Sequence, residues 1–405
     1  MKKVAIYNPY LETRGGGEKV CLSLAETIIN KTGYSIDLIV HEKVDLKSLE
    51  KYFELNLENA KVVVLSTETA LLKLLKLMHL PGRAINLVKD YYIRTYIKKN
   101  KYDLFINNCY QSNMPAPIKN SIYMCMFPQK FKQFEGLSLL KIAYIHFFNI
   151  LNRALFFPSK KLPVHTYKLI TANSEYTRGY IKEYWGVDSN ILYPICENMD
   201  DNQSQSKEKI ILNVGRFFAN SGENHHKRQD FMIDVFSELK DLASAGWELH
   251  FAGSVAEDQE TLKYLLDLLY KTEHLPIKLH FNRPFAELKD LYNRSSIYWH
   301  ATGYGSDPSK YPEKQEHFGI TTVEAMSAGC IPVVLNSAGQ KETVVNEETG
   351  FLWSTKKELI NCTRKVTKMD ESSMLKLSSK AKESSKKYNR DAFSLSVSSI
   401  LQEFF

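Results

Sequence analysis

The chain alternates short apolar runs with stretches of helical spacing, and this alternation limits its fold more than any other feature. Apolar runs typical of buried strands lie at 4–8, 36–41, 62–65, 103–107, 122–126 and 169–172. Helical spacing lies between them, at 18–30, 70–99 and 174–184. Strands that alternate with helices form a parallel sheet with helices on both faces. The first half of the chain therefore predicts a doubly wound α/β domain.

The same pattern restarts after a polar stretch at 197–208, which we interpret as a linker. Strands are then predicted at 210–214, 249–252, 278–281, 297–300 and 333–336. We therefore expect two Rossmann-like domains, over 1–196 and 207–389, and helical spacing continues at 390–405. Such sheets bind ligands at the carboxyl ends of their strands, where the strand order reverses. We expect the two domains to face a cleft that holds a small molecule.

Composition and charge narrow the class of protein. With 44% apolar and 24% charged residues, the chain is neither disordered nor a disulfide scaffold. Its six cysteines form no Cys-x-x-Cys pair, which argues against a zinc ribbon or redox dithiol and fits a reducing cytoplasm. Residues 1–200 hold 27 Lys and Arg against 18 Asp and Glu, a net charge of +9. This excess fits contact with a polyanion or an anionic membrane, and the alternative is a solvated surface. No interleaved basic–aromatic motif indicates nucleic acid.

No stretch of the sequence predicts a membrane span or a signal peptide. The most apolar stretch, 139–157, is interrupted by Lys141, His146 and Arg153 and is too polar to cross a bilayer. It fits a helix half-inserted into a membrane, or a helix packed on the protein core. We expect a cytoplasmic protein with peripheral contact at the inner face of the membrane.

Two short motifs predict phosphate contacts. Gly15, Gly16 and Gly17 follow the first strand and open a helix, where backbone N–H groups attract anions. The run lacks the third glycine of a dinucleotide fingerprint and the Gly-Lys-Ser/Thr of a P-loop, so a plain turn is the alternative. Arg216 lies just after the strand at 210–214, and Lys227 follows eleven residues later. Together they would clamp a diphosphate, and the alternative is two surface charges on a loop.

The most informative motif lies at 316–334, where Glu316 and Glu324 stand eight residues apart on either side of a glycine. A helix is predicted to begin near Gly319 or Ile320 and to end at Gly329. The free N–H groups of the first helical residues would hold an anion, while a carboxylate accepts hydrogen bonds from sugar hydroxyls. Two solvated glutamates, the alternative, would not explain the small residues around them.

This stretch, EHFGITTVEAMSAGCIPVV, resembles the Glu-x7-Glu element of the GT-B retaining glycosyltransferases of glycosyltransferase family 4, also described as glycosyl transferases group 1. Residues 15–28, 171–181 and 213–218 are similar to other parts of that family. The resemblance implies a GT-B fold and the transfer of a hexose, with retention, from a GDP- or UDP-linked sugar to a glycan or lipid-linked glycan, as in polysaccharide biosynthesis. It also implies that 390–405 packs back on the first domain.

The resemblance assigns roles to individual residues. Glu324 would hold the ribose, Glu316 would face the donor sugar, and Arg216 and Lys227 would neutralise the diphosphate. Glu316, Arg216 and Lys227 form the implied catalytic set. The other implied donor contacts are Gly16, Gly17, Asn282, Arg283, His317, Phe318, Gly319, Ile320 and Thr321. No cofactor is implied, and since no Asp-x-Asp element follows a strand, we expect metal-independent transfer.

The sequence departs from the family at one notable position. Met126 stands where many relatives carry a histidine before an aromatic-proline step, here Phe127-Pro128. The loops 303–314 and 220–226 fit either an acceptor pocket or surface insertions. His300, His317 and the pair at 225–226 have no evident partners and are interpreted as structural or solvated. The alternative functions are a nucleotide-sugar isomerase, a phosphorylase with a lysine-bound pyridoxal cofactor, and a non-catalytic nucleotide-sugar-binding protein.

Overall fold

The computed structural model describes residues 2–13, 15–65, 82–130, 150, 162–200, 206–219, 226–255 and 258–405. The predicted apolar helix at 139–157, apart from residue 150, and the loop at 220–225 lie outside the described residues. The chain forms two units, Met1–Tyr193 with Ser394–Phe405, and Pro194–Phe393. Each unit is an α/β structure built on its own sheet.

The first unit is built on a parallel sheet, which in the described residues has seven strands in the order β3-β2-β1-β4-β5-β6-β7. The strands are β1 Lys3–Tyr7, β2 Ser35–Val40, β3 Ala60–Val64, β4 Leu104–Asn107, β5 Ser121–Cys125, β6 Leu169–Ala172 and β7 Asn190–Ile191. The helices are α1 Gly16–Thr32, α2 Leu46–Phe53, α3 Gly82–Lys99 and α4 Glu175–Trp185. The central strands β1, β4 and β5 are apolar runs that the sheet buries on both faces.

The second unit has a parallel sheet of six strands among its described residues, in the order β10-β9-β8-β11-β12-β13. The strands are β8 Glu208–Val214, β9 Glu248–Gly253, β10 Ile277–Phe281, β11 Ser295–His300, β12 Ile331–Leu335 and β13 Phe351–Trp353. The helices are α5 Gln229–Ser237, α6 Lys240–Ser244, α7 Gln259–Thr272, α8 Phe285–Arg294, α9 Ile320–Ser327, α10 Gln340–Thr343, α11 Lys356–Thr367 and α12 Glu371–Ser385. Helix α13, Arg390–Gln402, follows and ends in the first unit.

The strand order of the second unit reverses between β8 and β11. From β8 the chain proceeds to β9 and β10 on one side, and then returns to β11 on the other side of β8. The residues that follow these two central strands, Gly215 and Ala301, therefore lie at the reversal point. Ligands of doubly wound sheets bind at such points.

The predicted doubly wound α/β architecture is confirmed, and the predicted strands lie within a few residues of the observed ones. Two short edge strands, β7 and β13, and helix α2 were not predicted because their apolar runs are brief. The predicted linker is structured at its start: Met199 is fully buried, and its N–H donates to Ser327 Oγ at 2.9 Å. Its neighbours are polar in sequence, but the segment packs through its backbone and the Met199 side chain.

No helix in the described part of the chain combines the length and the apolar character that crossing a membrane requires.

Candidate functional site

The loop after β8 packs tightly against the loop after β9. A Cβ on Gly253 would lie 2.0 Å from the Gly215 carbonyl oxygen, so a side chain at Gly253 would force the two loops apart. The Phe217 N–H donates to the Ser254 carbonyl at 2.8 Å. These contacts fix the course of the chain through Gly215 and Arg216 at the carboxyl end of the sheet.

Lys227 crosses this same loop from the segment before α5. Its side chain covers Gly215, where an added Cβ would meet Lys227 Cγ at 3.0 Å. Its ammonium nitrogen lies 2.7 Å from Glu316 Oε2. About a fifth of each side chain is exposed, 21% for Lys227 and 19% for Glu316. The structure thus joins two residues of the predicted catalytic set in one partly buried ion pair.

His300, the last residue of β11, approaches the same carboxylate oxygen. Its Nε2 lies 3.1 Å from Glu316 Oε2 and 3.2 Å from Thr302 Oγ1. Burial lowers the pKa of His300, and the nearby Lys227 lowers it further, against the hydrogen bond to Glu316, which raises it. We therefore take the imidazole as neutral near neutral pH, with its Nε2–H donating to Glu316. No partner of His300 is evident in the sequence, whereas the fold supplies one.

Helix α9 begins where the sequence predicted. Gly319 is its N-cap in the left-handed region, with φ of 99°, and Gly329 follows its end with φ of 81°. Tyr298 Oη donates to Thr321 Oγ1 at 2.7 Å and lies 3.4 Å from the Val214 carbonyl. The start of α9 is thereby tied to the end of β8. The predicted anion-binding helix terminus lies at the same edge of the sheet as Lys227 and Glu316.

Glu324 lies in the second turn of α9 and is 6% exposed. Tyr292 Oη lies 3.3 Å from Glu324 Oε2 and donates to it. Burial raises the pKa of Tyr292 well above its usual range, and the Glu324 carboxylate adds to this effect. The Tyr292 hydroxyl therefore keeps its proton and donates a hydrogen bond to Glu324, a predicted site residue for which the sequence indicated no partner.

Arg216 and the predicted base-contacting residues lie on exposed turns. The Arg216 guanidinium carbon is 5.8 Å from the centre of the Phe218 ring. Asn282 has a positive φ of 50°, and its Oδ1 accepts the Val255 N–H at 3.0 Å. Arg283 lies 3.6 Å from Glu287. The Asn282 side chain thus joins the ends of β9 and β10, and the predicted base contacts of Asn282 and Arg283 stay predictions.

Two predicted donor contacts turn their side chains into the protein. His317 is 6% exposed and Phe318 is 2% exposed. The Phe318 ring packs edge-on against Tyr388, with centroids 5.0 Å apart. The aromatic ring is drawn into the core because burial of its apolar surface is favourable. The packing of Phe318 leaves its backbone for the predicted donor contact, and the predicted contact of His317 stays a prediction.

In the first unit, the predicted glycine turn opens α1 at Gly16. The Gly15 N–H donates to Glu18 Oε2 at 2.8 Å, so this N–H is already hydrogen-bonded to a carboxylate of the protein. An added Cβ on Gly17 would lie 2.9 Å from Met126 Cε. The methionine that replaces the family histidine therefore packs directly on the glycine turn.

The matches to known proteins agree with this geometry. Residues 195–388 match the family described as glycosyl transferases group 1. The match spans nearly the whole of the second unit. The resemblance inferred from the Glu-x7-Glu element is thus confirmed, and that element lies within the matched residues.

Relatives and one solved structure extend the comparison. Over 197 residues the chain is 29% identical to the GDP-Man:Man(3)GlcNAc(2)-PP-Dol alpha-1,2-mannosyltransferase of Xenopus tropicalis, covering 45% of this chain and 38% of that protein. Over 392 residues it is 24% identical to the Kluyveromyces lactis protein of the same name, covering 88% of this chain and 64% of that protein. The chain thus spans less than two thirds of the length of either relative.

The solved glycosyltransferase of Rickettsia africae ESF-5 has the same fold. It matches with a TM-score of 0.68 at 14% identity, covering 100% of this chain and 98% of that chain. The predicted GT-B fold of two Rossmann-like units is confirmed by this likeness.

Proposed function

We propose that the chain is a retaining glycosyltransferase that moves a hexose from a nucleoside-diphosphate sugar to a glycan or lipid-linked glycan. The observation that carries the proposal is the meeting of Lys227 and His300 on Glu316 at the strand-order reversal of a group 1 glycosyl transferase domain. These groups combine a cation, a neutral hydrogen-bond donor and a carboxylate beside an open helix terminus. The cation and the helix terminus favour a leaving diphosphate, and the carboxylate favours a sugar ring that becomes positive.

The reaction separates charge, and each group has a place in stabilising it. As the bond between the sugar and the diphosphate breaks, positive charge grows on the sugar ring and negative charge on the leaving diphosphate. Lys227, Arg216 and the N-terminus of α9 would stabilise the diphosphate, because their charges are fixed before the reaction begins. Glu316 would face the sugar ring, with His300 holding its carboxylate in place.

The ammonium of Lys227 has two possible partners in this scheme. Without a ligand it pairs with Glu316 at 2.7 Å. A bound diphosphate carries more negative charge than one carboxylate and would draw the ammonium toward itself. Glu316 would then be left with more of its negative charge uncompensated, at the moment when the sugar becomes positive.

The nucleotide would be held by residues around α9 and β10. Glu324 accepts a hydrogen bond from Tyr292, and carboxylate oxygens such as its own are suitable acceptors for the hydroxyls of a ribose. Arg283 and the backbone after β10 would contact the base. We propose GDP-mannose as the donor and a lipid-linked glycan as the acceptor, because the relatives named above are mannosyltransferases described by that donor and by a dolichol-linked acceptor.

We further propose that transfer needs no metal ion and takes place at the inner face of a membrane. Arg216, Lys227 and the start of α9 would supply the positive charge that a divalent cation provides elsewhere. The excess of basic residues in the first 200 supports contact with anionic lipid. Activity that survives EDTA would support the first proposal, and activity lost to EDTA and restored by Mg²⁺ would contradict it.

The decisive experiment offers the protein GDP-mannose, and separately UDP-hexoses, together with a lipid-linked glycan fraction. We expect a mannosylated glycolipid and released GDP, with the configuration of the donor kept in the product by NMR. Glu324→Gln should weaken donor use while leaving the fold intact. An inverted product would contradict retention, a converted nucleotide sugar without transfer would indicate an isomerase, and binding without turnover would indicate a binding protein.

A further inference from the structure

Gln340, the first residue of α10, carries an amide that the fold leaves unsatisfied. The residue is 1% exposed, and neither Nε2 nor Oε1 has a hydrogen-bond partner among the residues that the structure describes. Natural proteins leave few buried polar groups unpaired, because an unpaired group keeps the cost of leaving water without a compensating bond. An amide in this state therefore calls for a ligand or a role.

The backbone holds this amide against the first residue of the α9 terminus. The Gly339 N–H donates to the Glu316 carbonyl at 2.9 Å, and an added Cβ on Gly339 would lie 2.2 Å from the His317 carbonyl oxygen. The Gln340 amide nitrogen then lies 2.5 Å from the position that a Cβ on Gly319 would occupy. Of the amide atoms, the nitrogen is the nearest to that position.

The N-terminus of α9 and this amide are suited to the same kind of ligand. The first N–H groups of a helix have no partners within the helix, and the helix dipole makes that end attractive to anions. The Gln340 amide lies against Gly319, the N-cap of α9, which has no side chain. Hydrogen bonds from N–H donors to phosphate oxygens are stronger than bonds between neutral groups.

We propose that the Gln340 side chain is a hydrogen-bond donor to the diphosphate that binds at the start of α9. The proposal rests on the proposed function, which supplies the diphosphate as part of the donor. The amide, which is unpaired among the described residues, gains its partner when the nucleotide binds. Its retention then reflects ligand binding rather than the stability of the free protein.

The test compares the wild type with Gln340→Met, which keeps the length of the side chain and removes both polar atoms. Binding of GDP and of UDP alone is measured by titration calorimetry, so that chemistry plays no part. We expect Gln340→Met to bind nucleotide roughly 10- to 100-fold more weakly, the range for a lost hydrogen bond to a charged group. We also expect its Tm without ligand to equal or exceed that of the wild type.

Gln229→Met provides the matched control for stability. Gln229 is also 1% exposed, but its Nε2 donates to the Arg216 carbonyl at 3.3 Å and its Oε1 accepts from Tyr264 Oη at 3.1 Å. Its replacement should lower Tm, because it leaves the carbonyl and hydroxyl unpaired. A Gln340→Met protein that lost as much Tm and bound nucleotide within twofold of the wild type would overturn the proposal.

Two further outcomes keep the proposal separate from the proposed function. A wild-type protein that binds neither GDP nor UDP contradicts the proposed function before any variant is compared. If Gln340→Met does not fold, Gln340→Glu replaces it, since it is nearly the same size and carries a negative charge. It should bind nucleotide more weakly than the wild type, and equal binding would overturn the role of Gln340.

Discussion

Glu316 offers a single oxygen, Oε2, to both Lys227 and His300, and this sharing determines what each residue does. Lys227 supplies the positive charge that compensates a partly buried carboxylate, and His300 supplies a neutral donor to the same oxygen. Removing one partner of such a pair leaves a poorly compensated charge. Substitutions at these positions should therefore change both the site and the protein's response to pH.

Lys227→Met should lower turnover by roughly 100- to 1,000-fold, the usual effect of losing one preorganised group that stabilises the transition state. The measurement is kcat for mannosyl transfer, with circular dichroism to check the fold. Lys271→Met is the matched control. Lys271 also forms an ion pair, with Asp234 at 2.9 Å, but the two side chains are about half exposed on the surface of the same unit. Turnover should be unchanged in the control, and a Lys227→Met enzyme of near wild-type activity would remove Lys227 from the site.

His300 should make the protein less stable in mild acid. Its pKa is lowered in the folded protein by burial, so the unfolded chain binds a proton more readily. The stability contributed by neutral His300 is fully present above the unfolded pKa near 6.5 and is lost as the pH falls toward the lower folded value. The free energy of unfolding in urea should therefore fall between pH 7 and 5, by at most about 1.4 kcal/mol per pH unit for this one group.

A comparison of variants isolates this contribution from the other buried histidines. His300→Gln should flatten the dependence of unfolding free energy on pH, whereas His274→Gln should not, because the His274 side chain is 90% exposed. Equal pH profiles for the wild type and His300→Gln would show that the imidazole does not titrate in this window.

At the scale of elements, the start of α9 depends on a glycine for two separate reasons. Gly319 has a φ of 99°, and a Cβ there would meet the Gln340 amide nitrogen at 2.5 Å. Gly246 has a similar φ of 84° but nothing within 4 Å of an added Cβ. Alanine at Gly246 should therefore cost only backbone strain, about 1 kcal/mol or somewhat more.

Gly319→Ala should lose more stability than Gly246→Ala, by about 1–3 kcal/mol for the forced overlap. It should also bind GDP more weakly, since the helix terminus would shift. Urea unfolding and nucleotide titration measure the two effects. Equal losses of stability in the two variants would mean that the Gln340 side chain moves aside without cost.

The elements around the site differ in how well the sequence predicted them. Helix α9 was predicted closely because its own residues mark it, with a glycine before its first residue and another after its end. Its partners were not predicted. Tyr292, Tyr298 and His300 reach Glu324, Thr321 and Glu316 from elsewhere in the fold, 32, 23 and 16 residues away in sequence. No local pattern records such contacts, since only the order of strands in the sheet brings them together. Gln340 was missed for the same reason.

At the scale of the whole molecule, each unit has its own apolar core. Tryptophan fluorescence reports mainly on the second unit. Trp247, Trp299 and Trp353 are buried there, and Trp185 is buried in the first unit. In Trp185→Phe, fluorescence would follow the unfolding of the second unit alone. We expect GDP at 100 times its Kd to stabilise that transition by about 2.7 kcal/mol.

Circular dichroism of the same Trp185→Phe protein provides the comparison, because it follows both units. The shift of the unfolding transition caused by GDP should be larger by fluorescence than by circular dichroism. The proposed nucleotide contacts of Lys227, Glu324 and α9 all belong to the second unit. A GDP effect seen by circular dichroism but absent from fluorescence would place the nucleotide in the first unit.

Helix α13 has a consequence for the order in which the protein is completed during translation. Val397 and Leu401 are buried in the first unit, and the Phe405 ring packs on Tyr34 with centroids 4.9 Å apart. A ribosome therefore synthesises most of the first unit early but delivers its closing helix only after every residue of the second unit has been made. The first unit is therefore completed after the second, and a chaperone that protects exposed apolar surface would be needed longer on the first unit.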